Sequence, residues 1–280
     1  MLNKKVIVVS GFPFGGTNVI WNLLQSHPDV CSAGKETNEL LYPSRRFRSP
    51  FRPLLLSLCN NKLTAPSIER WMDRRFYRAK MNNINNQFNQ YMNEKRKYTR
   101  DEIASTALCL KSLHWEIDFN PTYARMYDEI YFVGVVRNGY AWCEGWMRRG
   151  GNAKTAGEFY QQYSDVMLNQ ANRLGRYKFI KLEDALTEPF GIAEELYKFT
   201  QLEPTTLPKL RLKSKKVISD HGNHEVRYGN ENSKYWFDRD EIKGILDPGI
   251  SDIQAARLDS ENRAIFSSEA LSALKKFGYV

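Results

Sequence analysis

Short apolar runs separated by longer mixed stretches set the rhythm of the chain. Val6-Ile7-Val8-Val9, Ala107-Leu108-Cys109-Leu110, Tyr131-Phe132-Val133-Gly134-Val135-Val136 and the segment Tyr177–Leu182 are strand-length and rich in β-branched or aromatic residues. That is the pattern of strands buried on both faces. Strands are predicted over residues 4–10, 107–111, 130–136 and 177–182, with a short one near Val30-Cys31-Ser32. Between and after them, helical periodicity predicts helices at Asn18–Ser26, Gly139–Met147, Thr155–Leu174, Asp238–Leu246 and Ser268–Phe277. The paired glycines of Arg148-Arg149-Gly150-Gly151 end one helix before the next. Strand and helix alternate, which predicts an α/β fold: a central parallel sheet with helices on both faces, three layers in one domain spanning residues 1–280.

Two stretches stand outside this alternation. Ser67 to Tyr98 predicts one or two helices with Ile68, Trp71, Met72, Phe76, Ile84, Phe88 and Tyr91 as an apolar stripe. It is expected to form a basic helical insertion, about residues 45–100, beside the active site. Beyond Pro208 the text turns basic and irregular, and about 209–237 are expected to be a lid loop.

The most informative local feature is where the first strand stops. Ser10-Gly11-Phe12-Pro13-Phe14-Gly15-Gly16-Thr17-Asn18 joins a strand to a helix through a glycine turn, so the backbone can approach a ligand and the helix presents its free N–H groups and positive dipole end. This is a cradle for a phosphate. Gly11 and Gly16 match the frame of a Walker A loop, but Thr17 stands where its lysine belongs. The strand 130–136 ends in Arg137, where a Walker B strand would carry a magnesium-binding Asp. A guanidinium binds phosphate oxygens and no metal, so a magnesium-dependent nucleotide kinase is disfavoured.

On these residues the chain resembles the sulfotransferases that use 3′-phosphoadenosine 5′-phosphosulfate (PAPS). Gly11-Phe12-Pro13-Phe14-Gly15-Gly16-Thr17-Asn18, followed by His27-Pro28-Asp29, is similar to the family's 5′-phosphosulfate loop, Gly-Phe-Pro-Lys/Arg-Ser-Gly-Thr-Thr. Val136-Arg137-Asn138-Gly139 resembles the 3′-phosphate strand-loop, Val-Arg-Asp-Pro, and Lys181-Leu182-Glu183-Asp184 with Glu188-Pro189 resembles a later Tyr-Glu-Asp-Leu…Asp-Pro element. The matches stand in family order over residues 4–200. The resemblance implies a P-loop-like three-layer fold, PAPS as co-substrate with 3′-phosphoadenosine 5′-phosphate (PAP) as product, and no metal. It places donor-binding roles on Pro13, Phe14, Gly15, Gly16, Thr17, Asn18, Arg137 and Gly145. Arg227-Tyr228-Gly229 with Trp236 and Phe237 resembles the loop that closes over the 3′-phosphate, adding Arg227 and Gly229.

Two positions depart from the pattern. Phe14 replaces the loop cation, and Gly145 replaces a Ser for the 3′-phosphate. Losing one preorganised donor costs about 10²–10³ in rate, so the loss at Phe14 either is compensated by another cation, with Lys111 and Lys35 as candidates, or leaves a slow enzyme. Lys35-Glu36 after His27-Pro28-Asp29-Val30 resembles the heparan-type branch, where the glutamate is the general base. His114, in Lys111-Ser112-Leu113-His114, is the other base candidate: the cytosolic branch has Lys-x-His there, one residue shorter. Lys111, ending an apolar strand at the same sheet edge as the loop, is expected to offset charge on the transferred group. The alternative to catalysis is a degenerate member that binds a nucleotide or anionic ligand without chemistry.

Charge narrows the acceptor. The net charge is +9, and Arg45 to Arg100 hold fourteen basic against three acidic residues, an excess larger than the whole chain's. An anionic acceptor such as an acidic glycan or lipid headgroup is expected, and peripheral contact with a membrane surface fits the same charge. No nucleic-acid-binding motif is present. Four cysteines without metal or redox spacing suggest reduced structural thiols, and no leader or bilayer-length apolar run is apparent, so a cytoplasmic setting is expected. His221 and His224 have metal-compatible spacing without partner ligands.

Overall fold

A computed structural model describes residues 1–42, 45–83, 98–203, 206–218 and 224–280. The first half runs β1 (Lys5–Gly11), α1 (Thr17–Leu24), β2 (Val30–Ser32), α2 (Thr37–Leu41), α3 (Arg45–Asn60), α4 (Ala65–Asn82), α5 (Arg100–Ser105) and β3 (Ala107–Leu113). A 3₁₀ turn (His114–Phe119) follows, then α6 (Asn120–Met126), β4 (Glu129–Val136), α7 (Gly139–Met147), α8 (Ala153–Arg173), β5 (Tyr177–Lys181), α9 (Leu182–Thr187) and α10 (Pro189–Phe199). The remainder holds β6 (Leu210–Lys213), β7 (Lys216–Ile218), β8 (His224–Val226), β9 (Lys234–Phe237), α11 (Arg239–Lys243), α12 (Ile250–Ala256) and α13 (Ser260–Phe277).

β1 to β5 form one parallel sheet in the order β2-β3-β1-β4-β5. The pleat sends alternate residues of β1 to opposite faces. Ile7 and Val9 pack with Leu23, Ile180 and Leu196 under α1 and α10, whereas Val6 and Val8 pack with Met72, Phe76 and Tyr123 under α4 and α6. A third cluster, dominated by aromatic rings, joins α7, α8 and α13. Register decides the rest: Gly11 lies opposite Leu113 on one side and Val135 on the other. The ends of β1, β3 and β4 therefore deliver the glycine loop, His114 and Arg137 to one sheet edge.

The expected insertion holds α3 and α4, and among the described residues neither helix lines the large cavity at that edge. Several of its cations serve the fold instead. Arg75 Nε donates to the Leu40 carbonyl at 2.6 Å, Arg52 pairs with Asp118, and the buried Lys80 donates to the carbonyls of Ala104 and Thr106 at 3.0 and 2.9 Å. Ile68, Trp71, Met72 and Phe76 do pack on the core, while Ile84, Phe88 and Tyr91 lie outside the described residues.

Within 209–237 the described residues form two antiparallel ribbons, β6 with β9 and β7 with β8. Strands of three or four residues are too short for periodicity to mark, even though Leu210 and Leu212 alternate with Arg211 and Lys213 in β6. β3 runs two residues past Lys111, and α13 begins at Ser260, where the Asp259 side chain accepts from Asn262 N, earlier than the periodicity suggested. The cysteines Cys31, Cys59, Cys109 and Cys143 are buried and unbridged; His221 lies outside the described residues. Among the described residues no helix is long and apolar enough to cross a membrane.

A polar staple holds α4 against the start of the chain. Buried Asp73 accepts from the backbone of Leu2, from Asn3 Nδ2 at 2.8 Å and from the Tyr127 hydroxyl at 3.0 Å. Asp73→Ala leaves these donors without their acceptor and is expected to lower stability by about 1–3 kcal/mol, measured by urea denaturation.

Candidate functional site

The glycine loop has a conformation few sequences accept. Gly15 N donates to the Phe12 carbonyl at 2.9 Å, closing the turn, and Gly16 follows at φ 84° as the N-terminal cap of α1. A Cβ on Gly16 would stand 2.4 Å from Leu182, so glycine is required twice over, by backbone sign and by space. Phe14 itself has φ 60° and is 56% exposed, so its ring projects from the loop.

Aromatic packing fixes the loop from below. Phe12 stacks on Tyr160 at 4.4 Å between centroids, and the Trp142 indole donates to the Pro13 carbonyl at 2.6 Å. Tyr160 also reaches the neighbouring strand end, where its hydroxyl donates to the Arg137 carbonyl at 2.8 Å. Arg137 Nη1 in turn donates to the Phe14 carbonyl at 3.3 Å. Loop and arginine are thereby held as one unit.

Arg137 is 8% exposed and aimed into the cavity edge, with Nε donating to Ser251 Oγ at 3.4 Å and Nη2 to Gln254 of α12. Burial lowers its pKa, and the carboxylates of Glu183 and Glu144 oppose that shift. Glu183 has a second task. Its Oε1 accepts from Asn138 N at 3.0 Å and its Oε2 from the Tyr279 hydroxyl at 2.9 Å, which pins the turn after Arg137.

Across the cavity, Lys111 is nearly enclosed. Its ammonium donates to Asn18 Oδ1 at 2.8 Å and pairs with Glu36 Oε1 at 2.9 Å. Burial lowers the Lys111 pKa, and Glu36 works against that shift. Glu36 precedes α2, where Glu39 Oε2 accepts from its backbone N–H at 3.1 Å, so the carboxylate has a fixed base. His114 opens the 3₁₀ turn at φ 54°, partly exposed.

Pro13, Phe14, Gly16, Thr17, Asn18, Glu36, Lys111, His114, Arg137, Gly145 and Arg227 all line one cavity of about 660 Å³. Two expected members do not. Gly15 is buried in its turn, and Gly229, at φ 55°, lies under the Tyr235 ring, which a Cβ would meet at 2.3 Å. Lys35 is exposed and outside the lining.

The structure adds residues that local patterns did not suggest. Arg149 places its guanidinium 4.1 Å from the centroid of Phe14 and donates through Nη1 to the Gly145 carbonyl. It therefore occupies the space between the two positions where the loop cation and the Ser are missing. A methyl at 145 would stand 3.4 Å from that same Nη1, an ordinary contact. Arg148, Lys213, Lys215 and Lys216 add charge to the lining, and Leu182, Leu186, Ile245, Leu246 and Ile250 give it an apolar wall. Arg149 lay in a segment legible only as a helix end, and the lysines in one legible only as basic. Among the described residues no group of three or more His, Cys, Asp and Glu stands ready for a metal.

Gly16→Ala is expected to cost about 1–3 kcal/mol, since it combines positive φ with the Leu182 contact. The same variant should lose anion affinity in calorimetry. A stability within error of wild type would contradict the required conformation.

No protein-family model and no curated protein sequence matches the chain. Among solved structures it is similar to the sulfotransferase domain of the olefin synthase from Synechococcus PCC 7002, at 13% identity over 95% of this chain and 94% of that one, with a TM-score of 0.47. The sulfotransferase domain of the curacin biosynthetic pathway follows at 13% identity, 95% and 97% coverage and a TM-score of 0.45. A sulfotransferase from Alicyclobacillus acidocaldarius is 16% identical over 73% and 84% of the two chains, with a TM-score of 0.42.

Proposed function

We propose that this chain transfers a sulfonate group from PAPS to a hydroxyl or amine of an acceptor, releasing PAP. One observation carries the reading. A glycine loop opening a helix, a buried strand-end arginine and a lysine–glutamate pair meet in a single cavity, so two anion sites flank an acid–base pair. The lining fits such a donor: cations at separate points, and between them an apolar wall suited to a base ring.

PAPS supplies the activated sulfonate and a stable leaving phosphate. The loop amides of Gly16, Thr17 and Asn18 bind the 5′ side, with the positive end of α1 behind them. Arg137 binds the 3′-phosphate, assisted by Arg227 and the lysines of β7 and its approach. Because Arg137 is already held by Ser251, Gln254 and the Phe14 carbonyl, its orientation is set before the ligand arrives. Arg149 supplies the positive charge that Phe14 cannot, holding it over the loop by cation–π contact. Lys111 stabilises charge on the transferred group. Glu36 takes the acceptor proton, with His114 as the other candidate on the same wall. Buried, unbridged thiols suit a cytoplasmic setting.

A second reading, anion binding without transfer, is favoured by Phe14 and Gly145, which lack the donors that transfer would use. Calorimetry separates them. Wild type should bind PAP without magnesium, and Arg137→Ala should lose about tenfold or more of that affinity. Glu36→Gln should keep PAP binding and lose turnover; unchanged turnover would remove Glu36 from the base role. Arg149→Gln should lower turnover by about 10²-fold, the cost of one missing preorganised donor. No PAP binding by wild type would refute the proposal.

A further inference from the structure

Not every cation of α3 and α4 serves the fold. The carboxylates between Pro50 and Asn82 are those of Asp73, which is buried, and Glu69, which is largely covered and pairs with Arg125 at 3.3 Å. Arg70, Arg74 and Arg78 stand on the other side of α4. They recur at a spacing of four, which sets them in a line along one helix face, and all three are exposed. Among the described residues none of them has an ion-pair partner. A helix face with a row of guanidinium groups and no carboxylate carries a concentrated positive field.

Apolar surface lies beside that charge. Leu63, in the turn between the two helices, is 90% exposed, and Leu54 on α3 is 53% exposed. α3 and α4 place their inward residues, Cys59, Met72 and Phe76, in one cluster, so their outward residues share a side of the molecule. A lone exposed leucine is ordinary. Two of them on the side that carries the arginine row match the chemistry of a lipid surface, with apolar groups for the acyl boundary and guanidinium groups for the phosphates.

The same face holds an open hollow of about 540 Å³ lined by Ser67, Arg70, Trp71 and Arg74. Its indole is fixed from two directions. Trp71 packs on the core below, and the Arg75 guanidinium, tied to the Leu40 carbonyl, lies 5.2 Å from the ring centroid. A rigid indole between two arginines suits a phosphate-bearing headgroup, since the ring offers an amphipathic surface and the arginines offer paired donors.

We propose that the outward face of α3 and α4 docks on an anionic membrane surface. Leu54 and Leu63 enter the headgroup boundary, and Arg70, Arg74 and Arg78 meet lipid phosphates. Nucleic acid would satisfy the arginines and leave both leucines in water, so the lipid surface is the better match. The docking goes beyond the transfer reading and does not depend on it.

The test is sedimentation of the full chain with vesicles of phosphatidylcholine alone and of phosphatidylcholine mixed with phosphatidylserine. Wild type should sediment with the mixed vesicles, stay in solution with the neutral ones, and be released by salt. Each arginine near such a surface is worth about fivefold in partitioning, so the joint variant Arg70→Gln, Arg74→Gln, Arg78→Gln should lose about a hundredfold. A joint variant that removes the same charge from α8, α10 and α13, Lys154→Gln, Lys198→Gln, Lys275→Gln, should keep most of the binding. Leu63→Cys reads the apolar part. The chain's own cysteines are buried, so a polarity-sensitive fluorophore labels the new thiol, and its emission should move to shorter wavelength on the mixed vesicles.

Equal losses in the two joint variants would reduce the effect to net charge and overturn the proposal. A label at position 63 that stays in water while the chain sediments overturns it too, as does wild type that fails to sediment with the mixed vesicles. Binding of a duplex oligonucleotide through the same three arginines, without vesicle binding, would assign the face to nucleic acid instead. Wild type that docks on vesicles and does not bind PAP would refute the transfer reading and uphold the docking; the reverse result would refute the docking alone.

Discussion

The glycine loop and the arginine-bearing strand end could serve the proposed anion sites only at a fixed separation, and the aromatic layer beneath them sets it. Phe12 stacks on Tyr160, Tyr160 holds the Arg137 carbonyl, and Trp142 holds the Pro13 carbonyl. Each contact is worth little more than about 1 kcal/mol. Together they join the end of β1 to the end of β4 through side chains of α7 and α8, so neither loop can shift without disturbing the packed cluster that includes Tyr163 and Phe266. Positioning by packing costs nothing at the moment of binding, which is what an anion site in a wet cavity needs.

On the other side of the cavity the constraint is electrostatic. Lys111 is one ammonium shared by the helix after the glycine loop and by the carboxylate before α2. A buried ammonium is tolerated because two oxygens receive its protons, and the partial exposure of Glu36 keeps the pair in contact with solvent. The fold thus has a rigid wall built of rings and a responsive wall built of charge.

Much of this was legible in the sequence because it is local. The apolar runs named four of the sheet strands, the glycine spacing named the loop, and a strand ending in arginine pointed to Arg137 at the cavity edge. Glu183 was legible as part of a motif, though its hold on Asn138 was not. What escaped is non-local or unpatterned. Ser251 and Gln254 meet Arg137 from more than a hundred residues away, and nothing near them in the chain marks it. Arg149 looked like the end of a helix; only the structure shows it over Phe14. The strands β6 to β9 are only three or four residues long, too short for periodicity to give a sign of them.

The contact between Arg149 and Phe14 also constrains how this chain could change. A lysine at position 14 would set a second cation about where the ring now lies, some 4 Å from a guanidinium already in place, and repulsion would replace attraction. Losing Arg149 alone would strip charge from the loop while the ring remained. Neither single step is neutral, so the two positions are bound in epistasis: the route between this pair and a lysine-bearing loop passes through a worse intermediate, and the pair is expected to be kept or exchanged as a unit.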